Sequence, residues 1–354
     1  MTAVPHWSVP ESPSPVPRGP LHRAARIDYA FQDWRAARAA RRGAVPMPIG
    51  FIGYGSTGWV RVLARVLMTP EGEQPPERAA QRARGWRSFL AIPVNAATVI
   101  VTINGVDHEV TADRGGVVDV VVEAELEPGW STIQLRCPGG PRVPAPVFIV
   151  DPATRFGIVS DVDDTVMVTV LPRPFVAAWN TFVRDEHARL PVPGMAVFLE
   201  RMVRDNPGAP VIYLSTGAWN VAPTLTRFIE RHLYPSGPLL LTDWGPTHDR
   251  VFRSGRAHKQ DNLSRLAAEF PHIRWLLVGD DGQHDVELYD SFAEANPGHV
   301  AAIAIRRLSA GQAMLAGGRT KSDHGTGPRW YSAPDGSGLL RQIEADGLDG
   351  GRST

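Results

Sequence analysis

Apolar positions fall into three regimes along the chain. In the first, "LHRAARIDYAFQDWRAARAARRG" places Ile27, Phe31 and Trp34 on one helical stripe, with arginines spread around the remainder and Gly43 at the end. This predicts a basic amphipathic helix over residues 21–46. Such a helix suits an anionic membrane surface or the flank of a neighbouring domain. In the second regime apolar and polar residues alternate. "ATVIVTINGVDHEV" sets Val99, Val101 and Ile103 in alternation before an Asn104-Gly105 turn. "GGVVDVVVEAELEPGWSTIQLRC" alternates Val118, Val120, Val122, Ala124 and Leu126, turns at Pro128-Gly129, and resumes with Ile133 and Leu135. Short strands joined by tight turns predict an antiparallel β-sandwich over 47–146, closed by "GGPRVPAP" as a linker.

From residue 147 the rhythm changes again. The apolar runs "FGIVSD", "PVIYLST", "GPLLLTDW", "RWLLVGDD" and "HVAAIAIR" alternate with helical patterns. Continuous apolar strands separated by helices predict an α/β domain over 147–308, a doubly wound parallel sheet covered on both faces. The remaining segment, 309–354, is glycine-rich, with one short helix expected around "GSGLLRQIEADG". Residues 1–20 are proline-rich, and their few apolar groups cannot offset the ordering entropy, so a disordered leader is expected.

One glycine pattern needs a decision. Gly53-x-Gly55-x-x-Gly58 has the spacing of a dinucleotide-binding turn, which requires a following helix and then a second strand ending in an acidic residue. No second strand follows "WVRVLARVLM" where one is required. A glycine-rich turn entering a β-strand is the better reading.

Composition adds mostly exclusions. At 354 residues, 43% hydrophobic and 21% charged, the chain is long enough for two cores. Its formal net charge is zero, so no global field favours nucleic acid. The single cysteine, Cys137, excludes an intramolecular disulfide and a thiolate-rich metal site. It continues the alternation of Ile133 and Leu135, which predicts a buried structural thiol. No apolar run approaches the ~18 residues of a membrane span, and the N-terminus lacks the apolar core of a secretory signal, so a cytoplasmic protein is expected.

The chemistry gathers at predicted strand ends, where ligands of open parallel sheets collect. Asp161, Asp163, Asp164 and Thr165 follow "GIVS"; Ser215 and Thr216 follow "VIYL"; Asp280, Asp281 and Asp285 follow "WLLVG"; Lys259 lies near a predicted helix start. Two carboxylates about 4 Å apart repel by roughly 4 kcal/mol at an effective dielectric near 20. Such crowding calls for a cation.

In this order, the Asp-x-Asp-x-Thr motif, a strand-terminal serine, a lone lysine and a Gly-Asp cluster resemble the haloacid dehalogenase-like phosphatase superfamily, whose fold is a Rossmann-like doubly wound sheet. More narrowly, "SDVDDTV", "YLSTGAWN", "RSGRAHK" and "GDDGQHDVELY" look like the phosphatidate phosphatase family of the actin-patch-associated type, in which a β-rich domain precedes the catalytic one. The resemblance implies hydrolysis of phosphatidate to diacylglycerol and phosphate. It also implies a metal ligand in the Asp163 main-chain carbonyl. "STGAWN" carries Thr216, Gly217 and Ala218 where many members have an Asn-Ser-Pro-like series, and "GDDGQHD" has Asp281 where serine is common. The first departure bears on substrate identity; the second leaves Asp281 as a metal ligand or a solvent-facing residue, the latter preferred.

The residues themselves support a Mg²⁺-dependent phosphomonoester hydrolase working through an aspartyl-phosphate. Asp161 is the expected nucleophile and a metal ligand, and Asp163 the expected general acid and base. Ser215 and Lys259 complete the catalytic set. Thr165, Thr216 and Gly217 are expected at the substrate, and Asp161, Asp163, Asp280 and Asp285 at Mg²⁺. Of the chain's 37 basic residues only Lys259 and Lys321 are lysine, so a lysine at the motif position marks a place where a compact point charge matters. His284 is expected to orient its loop by a hydrogen bond, and His108-Glu109 lacks the second histidine of a zinc protease helix. A small lid carrying Phe175, Trp179 and Phe182 would leave the site open to a phospholipid, with peripheral membrane contact through the basic helix. The rival readings are a soluble phosphatase for a small metabolite or phosphoprotein, and a non-enzymatic interaction protein with a vestigial site.

Overall fold

A computed structural model describes residues 23–70, 92–168, 190–242, 255–282, 284–309 and 327–347, with side chains from residue 30 onward. The chain divides into two compact units between Pro152 and Ala153.

The first unit opens with α1 (Arg23–Ala40), followed by β1 (Ala44–Gly50), β2 (Gly53–Ser56), β3 (Trp59–Pro70), β4 (Thr98–Ile103), β5 (Val106–Thr111), β6 (Val117–Glu123), β7 (Gly129–Arg136) and β8 (Val143–Val150). The helix stops at Ala40, short of the 21–46 segment, and the chain turns over 41–43 to Gly43, where the pattern placed its end. Gly43 turns the chain in a left-handed conformation at φ 82°, and Pro46 and Pro48, which cannot continue a helix, lie in β1 instead. The expected stripe is not a packing face where its side chains are described: Phe31 and Trp34 are 56% and 53% exposed.

The strands form one hydrogen-bonded path, β1-β3-β2-β8-β7-β4-β5, with β6 paired to β3. Every pairing is antiparallel except that of β2 with β8. A sandwich of two sheets was expected; the described strands join in one hydrogen-bonded sheet around a shared core. Val60, Val62, Ala64 and Val118 share one core with Val101, Leu135, Ala145 and Val147. Cys137 lies in that core, where burial pushes its thiol up to about 11.

The glycine triplet is a β2-turn-β3 entry, as the missing second strand implied. A Cβ on Gly55 would lie 2.1 Å from the Trp59 carbonyl oxygen, so glycine allows the two strands to meet. The expected linker is largely β8. Pro144 and Pro146 alternate with buried Val143, Ala145 and Val147. They pair with β7 alone, because β2 joins β8 only from Val147 onward. A missing donor is tolerated on such a one-sided stretch.

The second unit holds β9 (Phe156–Asp161), α2 (Met195–Asp205), β10 (Val211–Ala218), α3 (Ala222–Arg231), β11 (Leu239–Thr242), α4 (Gly255–Glu269), β12 (Arg274–Asp280), α5 (Asp285–Ala295), β13 (Val300–Arg306), β14 (Arg329–Ala333) and α6 (Gly336–Asp346). Its sheet order is β11-β10-β9-β12-β13-β14, every pair parallel. Strand order therefore reverses beside β9, between β9 and β12. That is where open α/β sheets place ligands. The residues of β9, β12 and β13 are buried almost throughout, which explains their continuous apolar runs.

The C-terminal segment contributes more than the one expected helix. β14 adds a sixth strand, and α6 is capped by Asp335, whose side chain accepts from the Gly338 N–H at 2.7 Å. The expected lid residues Phe175, Trp179 and Phe182 lie outside the described residues.

Candidate active site

Three adjacent strand ends supply the site. Asp161 ends β9 and is the last residue of that strand paired with β10, opposite Leu214; Ser215 follows directly on β10. Asp280 ends β12 on the other side of β9. Asp285 begins α5, and Lys259 lies in the second turn of α4. Sequence separation is cancelled by topology, because the parallel strands all finish on one edge.

The side chains converge tightly. Carboxylate oxygens of Asp161, Asp280 and Asp285 lie within 4.8 Å of one another, and all three residues are buried. Lys259 Nζ reaches Asp161 Oδ1 at 2.8 Å and Asp285 Oδ1 at 2.5 Å. Asp163 does not join this cluster through its side chain. It faces Ser215, whose hydroxyl donates to Asp163 Oδ2 at 3.2 Å and accepts from the Gly217 N–H at 3.0 Å. Thr216 and Gly217 are held by Thr242, whose hydroxyl lies 3.0 and 3.2 Å from their carbonyl oxygens.

Electrostatics explain why the arrangement is incomplete on its own. Burial pushes the Asp161 carboxyl well above its usual range; Lys259 opposes this, while Asp285, Asp280 and Asp163 reinforce it. Burial works against the Lys259 ammonium, but Asp161 and Asp285 more than offset it and hold the lysine charged. One lysine cannot balance the acids around it. Asp161 Oδ2, Asp163 Oδ1 and Asp285 Oδ2 are buried and accept no hydrogen bond from the described residues. These are hard oxygen donors, and the cluster can hold a metal ion.

The carboxylates are positioned by close packing. A Cβ on Gly279 would lie 2.9 Å from Asp285 Oδ2 and 2.8 Å from the Tyr289 ring, so glycine lets α5 approach the end of β12. Asp280 Oδ1 accepts from the Gly282 N–H at 2.7 Å, orienting that carboxylate.

Some expectations need correction. Asp281 does not face solvent; it is buried, and Oδ1 accepts from the Leu308 N–H at 2.7 Å, tying the end of β12 to the exit of β13. His284 is exposed, and its ring lies 3.7 Å from Glu287. Sequence reasoning also left Asp164 and Arg306 without a part. Asp164 adopts φ 59°, a left-handed conformation that costs L-residues about 1–2 kcal/mol, and its carbonyl accepts from Arg306 Nη1 at 2.6 Å. The available signal was a cation ending the apolar run "HVAAIAIR" at the same sheet edge as the acids.

Residues 156–307 match the family model described as the catalytic domain of phosphatidate phosphatase APP1. Over 155 residues the chain is 26% identical to phosphatidate phosphatase APP1 of Saccharomyces cerevisiae, covering 43% of this chain and 26% of that protein. Over 151 residues it is 25% identical to an uncharacterized protein of Schizosaccharomyces pombe, covering 42% and 24%. The chain thus spans about a quarter of the length of these relatives. A solved structure, the Pnkp1/Rnl/Hen1 complex, is similar at 19% identity over 42% of this chain and 50% of the other, with a TM-score of 0.29. The phosphatidate phosphatase family resemblance recognised in the motifs is thus matched by these comparisons over the α/β half.

Proposed function

We propose that the protein is a Mg²⁺-dependent phosphatidate phosphatase of the haloacid dehalogenase-like type. One observation carries the reading: a buried lysine bridges Asp161 and Asp285 while Asp280 completes a compact acidic cluster at the sheet's switch point. A vestigial site would have no reason to maintain so much buried, like-signed charge.

Asp161, Asp280 and Asp285 would hold the ion, with the Asp163 carbonyl as the ligand implied by family resemblance. Bound there, Mg²⁺ would neutralise charge developing on the phosphoryl oxygens. Asp161 attacks phosphorus and the bond to the leaving oxygen breaks, giving an aspartyl-phosphate. Asp163 gives its proton to the leaving alkoxide. A water then attacks phosphorus, Asp163 takes its proton, and phosphate leaves as the bond to Asp161 breaks. Lys259 favours the ionised form of Asp161 and orients its carboxylate. Ser215, Thr216, Gly217 and Thr165 line the transferred group; the Thr165 hydroxyl is buried and makes no hydrogen bond among the described residues, leaving it available.

Purified protein should release phosphate from phosphatidate in mixed micelles with Mg²⁺, and chelation should stop it. Activity restricted to water-soluble phosphoesters would instead favour the metabolite or phosphoprotein reading. No turnover on any phosphomonoester would leave the interaction-protein reading.

A lipid substrate fits the surface of α1. Phe31 and Trp34 stack at 5.9 Å and are more than half exposed, with Arg35 and Arg38 over their rings. Exposed aromatics flanked by arginine suit the boundary of an anionic bilayer. The protein should co-sediment with anionic vesicles, and Phe31→Ser with Trp34→Ser should release it. Equal sedimentation of the double variant would remove α1 as the contact.

A further inference from the structure

The nucleophile-bearing loop is gripped from behind by a cation that the proposed chemistry does not use. Asp164 separates Asp163 from Thr165 in a left-handed conformation and is buried. Its N–H donates to the Met167 carbonyl at 2.7 Å, so the loop closes on itself. Its own carbonyl accepts from Arg306 Nη1 at 2.6 Å. Arg306 ends β13 and is 5% exposed, and its Nε lies 3.4 Å from the Pro334 carbonyl oxygen just beyond β14.

A second hold lies two residues on. The Tyr234 hydroxyl donates to the Val166 carbonyl at 2.7 Å, and the Val192 N–H shares that acceptor at 3.0 Å. Carbonyls 164 and 166 are thus fixed from outside the loop. Between them and Asp161 lies Asp163, whose carboxylate faces Ser215. The direction of that carboxylate follows from the turn at Asp164, and the turn follows from where its carbonyl is held.

The residue type fits the task. A planar guanidinium donates in two fixed directions and keeps its charge when buried, whereas an ammonium is a point charge without that fork. Burial lowers the pKa of Arg306, and the neighbouring Asp164, Asp280 and Asp281 oppose that shift, so its charge lies among the acids of this edge.

We infer that Arg306 is a positioning residue: by fixing the Asp164 carbonyl it aims Asp163 at the oxygen that must be protonated as it leaves. This rests on the phosphatase reading above. The test compares two esters by kcat/KM, which reports cleavage of the first bond and not the later hydrolysis common to both. An alkyl phosphate, such as a short-chain phosphatidate, needs its leaving oxygen protonated; p-nitrophenyl phosphate needs little help.

Arg306→Met should lower kcat/KM for the alkyl ester by about 10²-fold and for the aryl ester by less than about 5-fold. Arg306→Lys should show the same selectivity at about 10-fold, since charge returns without the fork. The lysine variant carries the test alone if the methionine variant lacks a cooperative melt. Equal losses on both esters, or none on either, would overturn the positioning role while leaving the phosphatase reading intact. A wild-type protein inactive on both esters would instead overturn that reading, and the role with it.

Discussion

Asp161→Asn is expected to lower phosphate release by more than about 10⁴-fold, the scale seen when a nucleophile is removed, while the metal-free protein melts no lower than wild type. The two halves of this result have one cause. Asp161 is disfavoured as a buried anion by its burial and by Asp285, Asp280 and Asp163, and Lys259 compensates only in part. An amide of nearly the same shape removes that repulsion, and Lys259 keeps its contact to Asp285. Active sites commonly hold such unfavourable charge for the sake of chemistry. Phosphate release assays and thermal melts in a chelator measure the two halves separately. A variant with wild-type turnover would show that another group attacks phosphorus.

The acidic strand ends were legible because each is written locally, as an apolar run stopping at a carboxylate. That Asp161, Ser215 and Asp280 lie at one edge was legible only through a rule of topology, that parallel strands end together. Elements without local contrast were missed. β14 is five residues long with only Tyr331 and Ala333 buried, too short to show a period. β8 carries prolines, which argue for a linker until the neighbouring strand is known to be absent beside them. Arg306 illustrates a different limit. An arginine after a strand usually faces water, and only the left-handed turn at Asp164, far away in sequence, gives it a buried carbonyl to hold. Asp281 was misassigned for the same reason, since its partner is the backbone of Leu308.

Lys259→Met inverts the expectation for Asp161. Here the compensating charge leaves and the acids stay, so the metal-free fold should lose about 3–5 kcal/mol, the range for breaking one side of a buried ion pair. Methionine fills nearly the same volume, which separates the charge effect from a cavity. A divalent ion binding only the folded state stabilises it by mass action, and with the lysine gone, Asp161 Oδ1 and Asp285 Oδ1 become available to it. Mg²⁺ should therefore raise the melting temperature of the variant more than that of wild type, and should bind it more tightly. Turnover should nevertheless fall, because Asp161 is no longer oriented by the ammonium. Lys259→Arg should also fail, since a planar guanidinium cannot reproduce two short contacts made by one nitrogen in a site this enclosed. Melts of the three proteins in chelator and in Mg²⁺ decide the matter: a methionine variant as stable as wild type without metal would mean that the acids are neutralised by something other than Lys259.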